Sequence, residues 1–509
     1  MAPHSKDGHD MHAAAATNIQ PAGFPIKYTK LFIDGEFVDA ISGKTFQSLN
    51  PSTGELLATV AEADVADVNK AVKAARKAFE EGPWPRLSGY ERGRILHKFA
   101  DLLEQNEDEL AHLETLDNGK PLFNSRYMDV VSGVKYVRMV AGWADKVTGQ
   151  TFKLDGPYQG ISVYEPYGVI GAIIPWNFPI LMFIVKVASS LAAGNSIVIK
   201  PAEQTPLTAL YMAALAKQAG VSDGALNVVP GFGPIAGASI ASHMDIDKVG
   251  FMGSTHVGRL IMEAAAKSNL KPVSLELGGK SPLVICEDAD LDTAVEIANG
   301  SLFFNMGQCC TAGSRTFVQE SIYEAFVNKA IEKAKKIVIG DPFKVGVEHG
   351  PQVDEKQFKK TLDYIESGKA EGARLLTGGH SVGKQGYFIE PTIFTDVKDD
   401  MKIATDEIFG PVMSILKFKT LDELIKRAND SKYGLAASIL TKDIDVAHKF
   451  ARSLRVGTVW INCYHVYDQS VPFGGYKMSG FGREHGLASL LSHMQLKSII
   501  YPLKDSPWL

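Results

Sequence analysis

Val169-Ile170-Gly171-Ala172-Ile173-Ile174 opens the stretch whose reading decides the fold. Four more apolar runs follow: Ser196 to Lys200, Leu226 to Val229, Asp247 to Phe251 and Val273 to Leu277. Between them lie segments of helical pattern, Leu181 to Ala193, Leu207 to Ala219, Ile235 to Ser242 and Val257 to Lys267. The strand-like runs are hydrophobic throughout and do not alternate. That pattern predicts a parallel sheet with helices on both faces. Ligands of such sheets bind beyond the carboxyl ends of the strands. Asn177, Lys200, Glu203, Gly231, Gly253 and Glu276 all fall at or just past such ends.

Outside this stretch, Asp64 to Gly82 reads as a helix. Asp64 stands at its cap, Val65, Val68, Val72, Ala75 and Phe79 recur at helical spacing, and Gly82-Pro83 ends it. Tyr90 to Leu116 continues in a charged helical pattern. A second α/β region runs from about Ser281 to Gly480, while Val147 to Pro166 and Gln495 to Leu503 read as extended strands outside either alternation.

The chain has 509 residues, enough for two or three domains. A net charge of −5 gives no electrostatic case for nucleic acid or an anionic membrane surface. Four cysteines (Cys286, Cys309, Cys310, Cys463) are too few for a disulfide framework and suit a reducing compartment. The most apolar stretch, Tyr167 to Ile199, is interrupted by Pro175, Asn177, Pro179 and Lys186. Its apolar segments are shorter than the roughly 20 residues that span a bilayer. Residues 1–24 read as a disordered tail, without the arginines of a transit peptide or the apolar core of a secretory signal. The expectation is a cytoplasmic protein.

Several motifs carry chemistry. Gly231-Phe232-Gly233-Pro234-Ile235-Ala236-Gly237 and Gly253-Ser254-Thr255-His256-Val257-Gly258 each join a strand to a helix. Either is a phosphate cradle or a plain capped turn. Lys200-Pro201-Ala202-Glu203 places a carboxylate where a ribose hydroxyl would be bound, or is a surface pair. Pro175-Trp176-Asn177-Phe178-Pro179 stiffens the backbone around one amide, which suits an oxyanion donor as well as a buried turn asparagine. Cys309-Cys310 offers thiols, or two buried small hydrophobes. Glu276, in an apolar strand end, is either paired or raised in pKa as a general base is. His256, His465 and His485 stand singly, lack metal-ligand spacing and receive no role.

Taken in order, these motifs resemble the NAD(P)-dependent aldehyde dehydrogenase superfamily. Leu275-Glu276-Leu277-Gly278-Gly279-Lys280, Gly307-Gln308-Cys309-Cys310, Glu407-Ile408-Phe409-Gly410-Pro411 and Pro472-Phe473-Gly474-Gly475-Tyr476-Lys477 complete the set. The likeness is to class 1/2 enzymes, with a Ser506-Pro507-Trp508 ending like that of cytosolic plant members that oxidise hydroxycinnamaldehydes. The resemblance implies an α/β fold. It comprises a Rossmann-type parallel-sheet cofactor domain (25–146 and 167–278), an α/β catalytic domain (279–480), and a β-strand oligomerisation extension (147–166 and 481–509). It implies oxidation of aldehydes to carboxylic acids with NAD, through a thiohemiacetal and an acyl-thioester, in a homodimer or homotetramer with no metal.

By that resemblance Cys310 is the nucleophile, with a lowered thiol pKa, Asn177 the oxyanion donor and Glu276 the base that hydrolyses the thioester. Ile173, Pro175, Trp176, Lys200, Glu203, Gly233, Phe251, Gly253, Ser254, Leu277, Gln357, Glu407 and Phe409 are expected to hold NAD. Phe178, Met182, Val185, Cys309, Thr311, Tyr467 and Phe473 are expected to line the substrate pocket. Val185 replaces a frequent tryptophan, which predicts room for aromatic or bulky aldehydes. A CoA-acylating enzyme and a silent structural protein on the same fold are the rival readings, and Glu276 and the intact Cys310 argue against them.

Overall fold

Residues 25–504 are described in this computed structural model; the expected tail and the Ser506-Pro507-Trp508 ending lie outside the described residues. The five strands of the opening stretch form the centre of an eight-stranded sheet. Its order in space is Glu36–Val38, Leu31–Ile33, Leu226–Val228, Ser196–Lys200, Val169–Ile173, Lys248–Gly253, Val273–Leu277, Gly480–Phe481. The central five are parallel, and the outer three pair antiparallel. From Val169–Ile173 the chain winds one way to Leu226–Val228, then returns to lay Lys248–Gly253 on the other side. Such a reversal opens a crevice past the carboxyl ends of the two strands that flank it. Ile173 and Gly253 stand at its two lips.

The charged helical stretch read as one element is two helices, Gly89–Gln105 and Glu107–Asn118. Asn106 breaks it: its backbone leaves helical values (φ −108°, ψ 23°), and its Nδ2 donates to Leu102 O at 2.7 Å. The segment Ile235 to Ser242 is α-helical only over Ala238–Ser242, after a wide turn at Gly233–Gly237 whose second residue is Pro234. The apolar helix Pro179–Ala192 starts on a proline, whose missing N–H costs nothing in a first turn, and is buried along most of its length.

A second sheet of seven strands holds Pro282–Ile285, Arg315–Gln319, Val412–Phe418 and Ala436–Leu440 at its centre, all parallel. A third joins Thr151–Lys153, Tyr158–Pro166 and Met494–Pro502 antiparallel. The expected division grouped residues 481–509 with that last strand. Here Gly480–Phe481 instead closes the edge of the first sheet, and the long strand begins at Met494. Among the described residues no helix is long and apolar enough to cross a membrane.

Candidate active site

After the helix Leu291–Phe303 the chain turns through Asn305 (φ 49°), Met306 (φ 57°) and Gly307 (φ 73°), three successive left-handed residues. At Gly307 a Cβ would lie 2.2 Å from the Gly410 carbonyl, so only glycine lets the two loops meet. This turn delivers Gln308, Cys309 and Cys310 to the end of the first sheet. Cys309 is buried and Cys310 partly accessible. The Cys310 thiol faces Glu276 Oε1 at 3.9 Å. Asn177 Nδ2 donates to Gln308 O at 3.1 Å, so all three expected catalytic residues meet on one loop.

Burial pushes the Glu276 carboxyl up to about 8, and the Glu484 carboxylate adds to the shift. Lys186 pulls the other way while pairing with Glu484. The lowered pKa expected for Cys310 is not found. Its hydrogen bond with Cys309 and its burial hold the thiol well above its ordinary value, and Glu276 adds to this. The physical reason is local: thiols are lowered by a helix N-terminus or a neighbouring cation. Cys310 follows a helix C-terminus and faces a carboxyl group.

On the crevice side, Lys200 is 2% exposed. Its Nζ donates to Pro201 O (2.8 Å) and Glu203 Oε2 (3.2 Å). Ser254 caps the helix Thr255–Lys267, its hydroxyl oxygen accepting from Val257 N at 3.3 Å. Nothing lies within 4 Å of a Cβ placed on Gly233, so that backbone is uncovered. Ile173 and Phe251, paired in register, are buried in the core beneath. Pro175 and Trp176 are half-buried, and Trp176 meets Phe409 edge-on with ring centres 5.3 Å apart. Gln357 Nε2 donates to the carbonyls of Ile408 (3.2 Å) and Phe409 (2.7 Å). Glu407 Oε1 accepts from Gly279 N at 3.1 Å, just past Leu277. A Cβ on Gly278 would sit 2.0 Å from the Glu407 carboxylate. Burial raises Glu407 to about 7, opposed by Lys360, which lines an open cleft of about 700 Å³ with Lys356, Lys402 and Asp406.

An aromatic wall stands on the other side of the thiols. Phe178 stacks on Phe304, Phe304 meets His465, His465 stacks on Tyr467, and Tyr467 meets Phe473 edge-on. Thr311 Oγ1 bonds to the Tyr467 hydroxyl at 2.7 Å and to the Cys309 thiol at 3.3 Å. Met182 is half-buried, but Val185, expected to line the pocket, is 1% exposed and belongs to a different core cluster from Phe178 and Phe304. His465, given no role from sequence, has its Nε2 at 3.8 Å from Cys309 Sγ. Asn305, Lys186 and Lys360 were also missed. Their sequence signal is weak, since their partners come from far along the chain.

The aldehyde dehydrogenase family model matches residues 37–499. A benzaldehyde dehydrogenase of Antirrhinum majus, named mitochondrial, is 56% identical over 499 residues, covering 98% of this chain and 93% of its own. A mitochondrial aldehyde dehydrogenase of Equus caballus is 57% identical over 497 residues, covering 97% and 99%. A solved NAD+ complex of aldehyde dehydrogenase from Bacillus cereus superposes with a TM-score of 0.93 at 49% identity, over 94% of this chain and 98% of that one. The cytoplasmic expectation is corrected by these relatives, two of which are named as mitochondrial. It leaned on the composition of a short N-terminal segment, which weighs less than likeness over nearly the whole chain. The chain belongs to the aldehyde dehydrogenase family.

Proposed function

We propose that Cys310, Glu276 and Asn177 carry out the NAD-dependent oxidation of aldehydes to carboxylic acids that this family performs. The observation that supports this assignment is their convergence: the Cys310 thiol faces Glu276 at 3.9 Å, and the Asn177 amide is bound to the same loop. The Cys310 thiol loses its proton to solvent as its sulfur adds to the aldehyde carbon. The oxygen that becomes negative is held by the Asn177 amide and the Cys310 backbone N–H, donors fixed before the charge develops. NAD, when bound, supplies the hydride acceptor that leaves a thioester on Cys310. Glu276 then takes a proton from the water that hydrolyses it.

The crevice residues fit the cofactor. Lys200 and Glu203 offer an ammonium and a carboxylate to the adenosine ribose. Gly253 and Ser254 offer a helix N-terminus to a phosphate, with Gly233 leaving room beside it. Ile173, Pro175, Trp176 and Phe251 shape the floor. Leu277, Gln357, Glu407 and Phe409 hold the nicotinamide end.

The aromatic wall favours aromatic or bulky aldehydes, and the Antirrhinum relative is named for benzaldehyde. A mitochondrial location rests on the relatives' names, and a fluorescent fusion of the full chain tests it. A homodimer or homotetramer rests on the exposed Leu496, Ile499, Ile500 and Tyr501 of the last strand. The reaction is tested by NADH formation over aliphatic and aromatic aldehydes, with Cys310→Ser as control. The wild type is expected to turn over and Cys310→Ser to be silent. Full activity in Cys310→Ser would overturn the assignment.

A further inference from the structure

Asn305 is 1% exposed, and its amide serves two backbone carbonyls that come from opposite sides of the site. Its Nδ2 donates to Asn177 O at 3.1 Å and to Gln308 O at 3.1 Å. Gln308 O also accepts the Asn177 amide at 3.1 Å. The three groups therefore close a triangle: Asn305 holds the backbone of Asn177, and both amides hold the loop two residues before Cys310. One of the two Asn177 N–H groups is committed to Gln308 O. The other is left to face an oxyanion.

A plainer explanation is that asparagine merely tolerates left-handed backbone better than most residues. The next residue argues against it. Met306 adopts φ 57° with no polar side chain, so this turn does not require an amide for its shape. The Asn305 Oδ1 is moreover buried without a hydrogen-bond partner. An amide that leaves its own acceptor unsatisfied is there for its donors. The turn that carries Asn177 is held on its other side too, by Asn118 Nδ2 donating to Trp176 O at 2.6 Å.

We propose that Asn305 is a positioning residue that aims the Asn177 amide at the oxyanion formed on addition to Cys310. The proposal rests on the assignment of Asn177 above. Asn305→Gly keeps the left-handed turn and removes both hydrogen bonds. It should lower kcat roughly 10- to 100-fold, somewhat less than outright loss of an oxyanion donor, and leave KM for NAD unchanged. Added to Asn177→Ala, it should cost far less than it does alone, since a residue acting mainly through another falls nearly silent once that one is gone and only its bond to Gln308 remains. Asn305→Asp, which keeps size but turns the donors into acceptors, should behave the same way and carries the test should the glycine variant not fold. Wild-type kcat in either variant, or an undiminished additional loss in the Asn177→Ala background, would overturn the proposal. A wild-type chain that forms no NADH, or an Asn177→Ala variant of full activity, would instead overturn the reading on which it rests.

Discussion

Glu276 must be a base in a place that disfavours its charge. With its pKa near 8, about one carboxyl in eleven is ionised at pH 7 and about ten in eleven at pH 9. The ionised form is the base, so thioester hydrolysis should rise roughly tenfold between those values and then level off. Single-turnover measurements of acyl-enzyme decay against pH check this; a flat profile over that range would count against it. Glu276→Gln should still release a burst of NADH close to one per site, followed by slow turnover, because hydrolysis is what it loses. Disappearance of the burst would put Glu276 in the first half-reaction. Cys310 and Glu276 were legible in the sequence because each sits in a short local motif. Asn305 and His465 were not. Their partners Asn177 and Cys309 are 128 and 156 residues away, and no spacing rule reaches that far.

The helix Glu107–Asn118 and the loop after it form a support for the Asn177 turn. Lys120 donates to Glu114 (2.8 Å) and Asp129 (3.0 Å), with all three side chains at most 1% exposed. Its Nζ also stands 4.3 Å from the centre of the Phe178 ring. The other Glu114 oxygen accepts from Ile180 N at 3.0 Å, in the first turn of the apolar helix. Burial opposes the Lys120 charge, but the two carboxylates outweigh it and raise its pKa. Burial and Glu114 hold the Asp129 carboxyl well above the usual carboxylate range; removing the cation leaves both acids buried without it, so Lys120→Met should cost about 3–5 kcal/mol. Urea denaturation measures it; a loss below 1 kcal/mol would show that the carboxylates take up protons at no cost. At this scale the sequence was read well where period alone decides, as in the five parallel strands. It failed at Asn106, where one residue stopping a helix and starting another leaves the charged pattern unbroken.

Across the molecule, the strand Met494–Pro502 runs antiparallel to Tyr158–Pro166 over its full length, and most of its side chains face out. If the proposed dimer or tetramer forms through this strand, deleting residues 494–509 should reduce the molar mass, read by light scattering during size exclusion, to that of one chain. An unchanged mass would place the interface elsewhere. The sequence showed both extended segments but not their pairing, since an interval of more than 300 residues separates them. A separation of about 200 residues likewise governs the short strand Gly480–Phe481, whose Gly480 is the register partner of Glu276. Glu484, whose charge helps raise the Glu276 pKa, lies four residues beyond. A ribosome that has made Glu276 must therefore add about 200 more residues before that side chain acquires its final neighbours. Until then the edge of the Val273–Leu277 strand is open, a site for mispairing during synthesis. The basicity of this carboxylate is settled only once those later residues have been made and packed.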